Sequence, residues 1–140
     1  MNPPEFSAEH LGLPARDPVA LKDWYVGALG ARLVFDSGQT PPAFFVELPG
    51  GLLVEIYQGA TALPQTGDNS VAGWRHLALR VAALERARDE LAARGVVFEG
   101  PIRPAGGGGR VLFFRDREGN LLHLVERPKG AAAFTRGLKA

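Results

Sequence analysis

The sequence lacks several features that would point to particular classes of protein. It has 140 residues and no cysteine, which excludes disulfide bonds, thiolate metal sites and cysteine nucleophiles. No apolar run approaches the ~20 residues that span a bilayer, and no signal peptide is visible at the N-terminus. The formal net charge is only +1, which argues against binding to nucleic acid or to a membrane surface. We therefore expect a cytoplasmic protein.

Eight short strands and two helices account for most of the chain. One helix is predicted over residues 17–30, where Asp17 can cap it, Pro18 suits its first turn and Gly30 ends it. A second, more strongly charged helix is predicted over residues 82–95. Alternation and turn residues predict strands, the first of them closed by Pro14, at 9–13, 31–36, 43–48, 52–58, 74–81, 96–100, 110–116 and 121–126.

The order β-α-β-β-β occurs twice, which indicates an internal duplication. Gly30 and Gly95 are 65 residues apart, His10 and His76 are 66 apart, and Glu55 and His123 are 68 apart. Nearly constant offsets at three positions are typical of a repeated unit. We predict an α+β fold of two βαβββ modules, residues 8–58 and 74–127, which form one domain with a curved, barrel-like cleft and the helices outside it.

Three histidines and one glutamate lie on the first and last strands of the two repeats. Since side chains alternate between the faces of a strand, the neighbouring leucines place His10, Glu55, His76 and His123 on the face opposite the helices. Four such groups buried together are unfavourable unless something satisfies them, and a divalent cation does so well. The pattern predicts a metal site at the junction of the modules, although histidines that simply pack in a core remain the alternative.

The stretches "EHLGLPARDPVALKDWYVGALG", "LLVEIYQ", "RHLALRV" and "FFRDREGNLLHLVE" together resemble the vicinal oxygen chelate superfamily, which includes glyoxalase I, extradiol dioxygenases and fosfomycin and bleomycin resistance proteins. The resemblance covers roughly residues 8 to 127. It implies paired βαβββ modules with a metal at their junction, held at the positions of His10, Glu55, His76 and His123. Members usually have Glu in the last strand, where this chain has His123. That difference argues against the dioxygenase and fosfomycin patterns.

A three-histidine, one-carboxylate set suits Zn, Ni, Co, Mn or Fe(II) and does not choose among them. The resemblance favours lyase or isomerase chemistry of the glyoxalase kind on a small substrate with neighbouring oxygens, through a metal-stabilised enolate or oxyanion. Glu55 is the candidate proton shuttle, because it is the one carboxylate that we place on the cleft face. A resistance or sensor protein that binds a ligand without catalysis, and an Fe(II) dioxygenase, are the alternatives.

Further residues of the cleft face are candidates for contact with the substrate. Tyr57 follows Glu55 on the same face, Arg80 shares the parity of His76, and one ring of the Phe113–Phe114 pair must point the same way. The glycine run at 105–109 precedes a strand, so we expect a flexible loop or lid there, since a phosphate loop requires a helix after it. Exposed sheet edges favour a homodimer, and the sequence leaves open whether one chain or two complete the site.

Overall fold

The computed structural model describes residue 5, residues 7–61 and residues 67–129. Its elements, in chain order, are β1 (His10–Ala15), α1 (Pro18–Leu29), β2 (Arg32–Asp36), β3 (Ala43–Glu47), β4 (Leu53–Gln58), β5 (His76–Arg80), α2 (Leu84–Ala93), β6 (Phe98–Pro104), β7 (Arg110–Arg115) and β8 (Leu121–Glu126). No helix in these ranges is both long and apolar enough to cross a membrane.

The two repeats form two four-stranded sheets of the same design. The described strands are ordered β1-β4-β3-β2 in one sheet and β5-β8-β7-β6 in the other. In each sheet the first strand pairs in parallel with the last strand of its module, and the other pairs are antiparallel. The α+β class and the paired βαβββ arrangement are therefore confirmed. The sheets stay separate and do not close into a barrel.

Helix α1 begins and ends where its sequence predicts. The Asp17 carboxylate accepts a hydrogen bond from the backbone N–H of Ala20 at 3.0 Å, and Pro18 occupies the first turn. Gly30 ends the helix in the left-handed conformation, with φ of 70°, which a residue with a side chain adopts only at a cost. Local chemistry thus fixes both ends of the helix, which packs against β3 and β4.

Two strands extend beyond their predicted ends. Pro14 does not close β1, which continues to Ala15; β1 lies at the edge of its sheet, where proline's missing N–H costs no ladder hydrogen bond. Strand β6 extends to Pro104, into residues predicted to be a loop, with a register shift between Glu99 and Arg103. It too is an edge strand, so its two prolines are tolerated.

The glycine run forms the turn of the β6–β7 hairpin. Ala105 N–H donates to the carbonyl of Gly109 at 3.0 Å, and Gly108 N–H donates to the carbonyl of Ala105 at 3.1 Å. The Arg127 guanidinium donates to the carbonyls of Gly106 and Gly108 and ties the turn to the end of β8. A strand follows the turn, as predicted, so the run lacks the helix that a phosphate loop requires.

A single core joins the helix-side faces of both modules. Hydrogen bonds cross between them: the Tyr25 hydroxyl donates to Asp116 at 2.8 Å, Arg94 donates to the Ala28 carbonyl at 3.2 Å, and the backbone N–H of Arg16 donates to the Glu118 carboxylate at 2.7 Å. The buried core members are Ala15, Leu21, Tyr25, Ala28, Leu29, Ala31, Val46, Leu48, Val54, Ile56, Leu84, Val96, Leu112, Phe114, Leu122 and Leu124. The modules therefore share their apolar helix side, and each presents its other sheet face separately.

Candidate metal and substrate site

His76 and His123 lie side by side on the second sheet. Their ring centroids are 4.7 Å apart, and the rings are tilted by 50°. Ala78 is directly opposite His123 in the β5–β8 ladder, so His76 stands diagonally across from His123 on the same face. The Phe113 ring lies 5.0 Å from His123 and 6.3 Å from His76. Two imidazoles and one aromatic ring thus form a compact patch, and Phe113 is the member of the Phe113–Phe114 pair that lies against it.

Burial affects the state of His123. The residue is 6% exposed, and this desolvation is the main reason that the pKa of its imidazole is lowered. The neighbouring His76 lowers the pKa further by a smaller amount. The backbone carbonyl of Leu124 accepts a hydrogen bond from Nδ1 at 3.2 Å and opposes that shift only in part. His123 is therefore neutral at neutral pH, the form in which imidazole binds metal ions.

All three histidines hold an oxygen acceptor at Nδ1. In addition to the His123 contact, His76 Nδ1 is 2.7 Å from the Asn69 amide oxygen, and His10 Nδ1 is 2.9 Å from a Glu9 carboxylate oxygen. Because oxygen only accepts here, each Nδ1 carries the proton in the neutral ring and the lone pair resides on Nε2. Metal-binding histidines are typically oriented in this way by a second hydrogen bond.

His10 and Glu55 occupy the equivalent face of the first sheet. Phe45 is directly opposite Glu55 in the β3–β4 ladder, as Phe113 is opposite His123 in the second module. The Phe45 ring packs edge-on against His10 at 5.1 Å. Tyr57, 37% exposed, lies over Gly12, where a Cβ atom would be 3.5 Å from the tyrosine ring. The duplication therefore extends to the aromatic neighbours of the polar residues.

One chain does not assemble the predicted four-ligand set. Among the described residues, no three His, Asp or Glu side chains are grouped as a metal ion would require. The structure brings His76 and His123 together, and no ring contact or hydrogen bond found among the described residues links this pair to His10 or Glu55. The four candidates therefore form two partial sets, one on each sheet.

Arg80, a predicted substrate contact, does not border the groove that His76 borders. It borders a groove of about 560 Å³ together with Leu79, Val81 and Leu91, residues of the helix side. Its Nε atom is buried and has no hydrogen-bond partner. His76 borders a different groove, of about 280 Å³, between β1 and β5.

Two residues near His76 were missed by the sequence reasoning. Asn69 lies in the connection between modules, which has no periodicity, although the "DNS" run at 68–70 is typical of a side-chain-stabilised turn. Trp74 borders the smaller groove and is 93% exposed, which is unusual for tryptophan and marks a surface suited to binding. Its position two residues before His76 was the available signal.

The chain belongs to the Glyoxalase/Bleomycin resistance protein/Dioxygenase superfamily, whose sequence model matches residues 7–124. Among solved structures, a glyoxalase family protein from Enterococcus faecalis is 26% identical, with a TM-score of 0.72 over 86% of this chain and 97% of that one. A glyoxylase/bleomycin resistance protein/dioxygenase domain from Frankia sp. EAN1pec is 24% identical, with a TM-score of 0.70 over 91% and 96% of the two chains.

A mutant of the fosfomycin resistance protein FosX from Listeria monocytogenes, solved with Mn(II) and 1S,2S-dihydroxypropylphosphonic acid, is 20% identical. Its TM-score is 0.66 over 91% of this chain and 95% of that one. At this identity the likeness concerns the fold alone. No curated protein sequence matches the chain.

Proposed function

We propose that this protein is a metal-dependent enzyme, a lyase or isomerase of the glyoxalase kind that acts on a small substrate with two neighbouring oxygens. The proposal rests on the hydrogen bond that each of the three histidines makes at Nδ1. Each has an oxygen acceptor at Nδ1 and therefore its lone pair at Nε2. His10 and His76, on the matching first strands of the two modules, are exposed, so core packing does not explain the arrangement that they share with the buried His123.

The residues present fit a divalent transition metal. His10, His76 and His123 would supply imidazole nitrogen, and Glu55 a carboxylate, a mixture that suits Zn, Ni, Co, Mn or Fe(II). The lowered pKa of His123 favours the ligand form at neutral pH. The fold-level likeness to FosX, which was solved with Mn(II), adds support for a divalent ion at this junction.

We propose that two chains complete the site. His76 and His123 on one chain would meet His10 and Glu55 on a second copy, since no single chain groups three of these ligands within the described residues. Both faces carry apolar side chains that a partner would cover: Phe35 is 52% exposed and Trp74 is 93% exposed. A twofold dimer of this kind contains two equivalent sites.

When bound, the metal would polarise the neighbouring oxygens of the substrate. Glu55 is the proposed base, because it is a half-buried carboxylate on the same sheet face as His10 and Phe45. Phe45 and Phe113 would exclude water from the reacting atoms, since each lies against a histidine of the site. Tyr57 would line the substrate pocket beside Glu55.

Elemental analysis of untagged protein purified without added metal tests this proposal. We expect close to one equivalent of a transition metal per chain in the wild type and a loss of most of it in His123→Gln. A Tyr57→Phe variant, which leaves all four ligands in place, is the matched control and should retain the metal. Failure of the wild type to take up any of the five candidate metals on titration would refute the proposal.

A second candidate function, a ligand-binding protein without catalysis, is favoured by one observation. Phe35, Phe45 and His10 form a continuous edge-to-face aromatic cluster on an exposed sheet face. Such a surface can hold an aromatic ligand by stacking alone. Ligand binding that persists unchanged in His123→Gln and in the presence of a chelator would favour this candidate over the enzyme.

A further inference from the structure

We infer that Asn69 is a positioning residue that sets the tautomer and the orientation of His76. Its amide oxygen lies 2.7 Å from His76 Nδ1, the shortest of the three contacts that the histidines make at Nδ1. The hydrogen bond leaves Nε2 as the nitrogen that can bind a metal. The inference rests on the proposed function for its purpose, although the contact itself is independent of any metal.

The backbone around Asn69 is held by its own turn. The Asp68 carboxylate accepts hydrogen bonds from the backbone N–H of Ser70 at 2.9 Å and from its hydroxyl at 2.7 Å. Val71 N–H also donates to the Asp68 carbonyl at 3.2 Å. The Ser70 hydrogen bonds favour the charged form of the Asp68 carboxyl and lower its pKa. Asn69 therefore projects from a turn of defined shape.

This turn is itself held against the second sheet by Arg115. Arg115, at the end of β7, donates to the Gly67 carbonyl at 3.1 Å and to the Gly119 carbonyl at 3.1 Å. Its Nε donates to Glu99 of β6 at 2.7 Å. At Gly67 a Cβ atom would be 2.0 Å from the Arg115 guanidinium, so a side chain there would displace the guanidinium from its present position. The connection between modules is thus anchored on the sheet that carries His76.

The other histidines are oriented by different means. The acceptor for His123 is the backbone carbonyl of Leu124, which no substitution removes, and the acceptor for His10 is the exposed side chain of its chain neighbour Glu9. His76 alone of the three depends on a side chain brought from another segment. It is therefore the histidine whose tautomer a single distant substitution should change.

The inference is tested by long-range ¹H–¹⁵N NMR of the metal-free protein, in which each imidazole tautomer has a distinct pattern. Because the chain has three histidines, a His76→Gln variant assigns the signals. We expect His76 to be predominantly the Nδ1–H tautomer in the wild type. We expect a shift toward Nε2–H in Asn69→Ala and retention in Asn69→Asp, which keeps an oxygen acceptor. Val71→Ala, in the same turn, is the control and should match the wild type.

Calorimetric titration with Zn²⁺ provides the second readout. Loss of such a supporting hydrogen bond typically weakens metal binding by about 10- to 100-fold, so we expect that loss in Asn69→Ala and recovery in Asn69→Asp. Tautomer populations that are the same in wild type and Asn69→Ala would overturn the inference. If the wild type binds no metal and the tautomer still responds to Asn69→Ala, the proposed function fails while the positioning role of Asn69 stands.

Discussion

The hydrogen bond between Tyr25 and Asp116 is a direct test of how the two modules are held together. Tyr25 lies on α1 of the first module and is 2% exposed, and Asp116 follows β7 of the second and is 6% exposed. Substitution of Tyr25 by Phe removes the hydroxyl and keeps the ring in place. The expected loss of stability is therefore the loss of one buried hydrogen bond to a carboxylate, without a new cavity.

The magnitude follows from the partners that Asp116 keeps. A hydrogen bond to a charged group contributes about 1.5–3 kcal/mol. Asp116 retains three others in the variant: the backbone N–H groups of Glu118 and Asn120 at 2.9 and 3.0 Å, and the Asn120 side-chain amide at 2.8 Å. The Asn120 amide donates to the same carboxylate oxygen as the Tyr25 hydroxyl. We therefore expect the loss of unfolding free energy to be at the lower end of this range, about 1.5 kcal/mol.

The loss of stability in Tyr25→Phe should also depend on pH. Burial raises the pKa of Asp116 above its ordinary value of 3.8, whereas the Tyr25 hydrogen bond acts to lower it by favouring the charged form. The hydroxyl thus stabilises the fold most above the Asp116 pKa. The difference between wild type and Tyr25→Phe should shrink as the pH falls through that value.

Urea denaturation followed by circular dichroism measures the free energy of unfolding of both proteins. The matched control is Tyr57→Phe, the other tyrosine of the chain, which is 37% exposed and should change stability by less than about 0.5 kcal/mol. Equal effects of the two substitutions, or a Tyr25→Phe effect that does not vary with pH, would refute this account of the contact between modules.

Two further predictions concern stability. Gly109→Ala should cost at least about 2 kcal/mol, because a Cβ there would be 1.9 Å from the Glu126 carbonyl at a φ of +98°, whereas Gly106→Ala, in open space, should be neutral in the same thermal melt. Similar costs at both glycines would contradict the turn geometry. Arg110 holds the pKa of Glu85 at about 2, below its ordinary 4.5, so the stability from this pair is present above pH 4.5 and is lost as the pH falls toward 2. Melting temperatures of Arg110→Ala should therefore fall less steeply than those of the wild type over that range, and parallel curves would contradict the pairing.

The order of elements was predictable from the sequence because its signals are local. Capping by Asp17, the stop at Gly30 and the alternation of apolar residues depend on neighbours within a few positions. The errors at the ends of β1 and β6 arose because proline was interpreted without knowledge of which strands are at sheet edges. That information depends on pairing partners distant in the chain.

The candidate site was predictable only in part, for a related reason. Strand parity placed His76 and His123 on one face, and in the structure their rings lie 4.7 Å apart, with Phe113 beside them. Parity does not specify how two sheets lie relative to each other, so the meeting of all four proposed ligands could not be deduced. Asn69 was missed because its contact spans seven residues of irregular backbone.

A metal site shared between two chains, as proposed, can be distinguished from a site within one chain by mixing two variants that each lack a ligand. His10→Ala and His123→Ala each lack one ligand, so neither should retain metal alone. If sites form between chains, subunit exchange creates mixed dimers with one intact site, and random mixing should restore about a quarter of the wild-type metal content. No recovery after verified exchange would contradict the claim, because ligands drawn from a single chain cannot complement each other in this way.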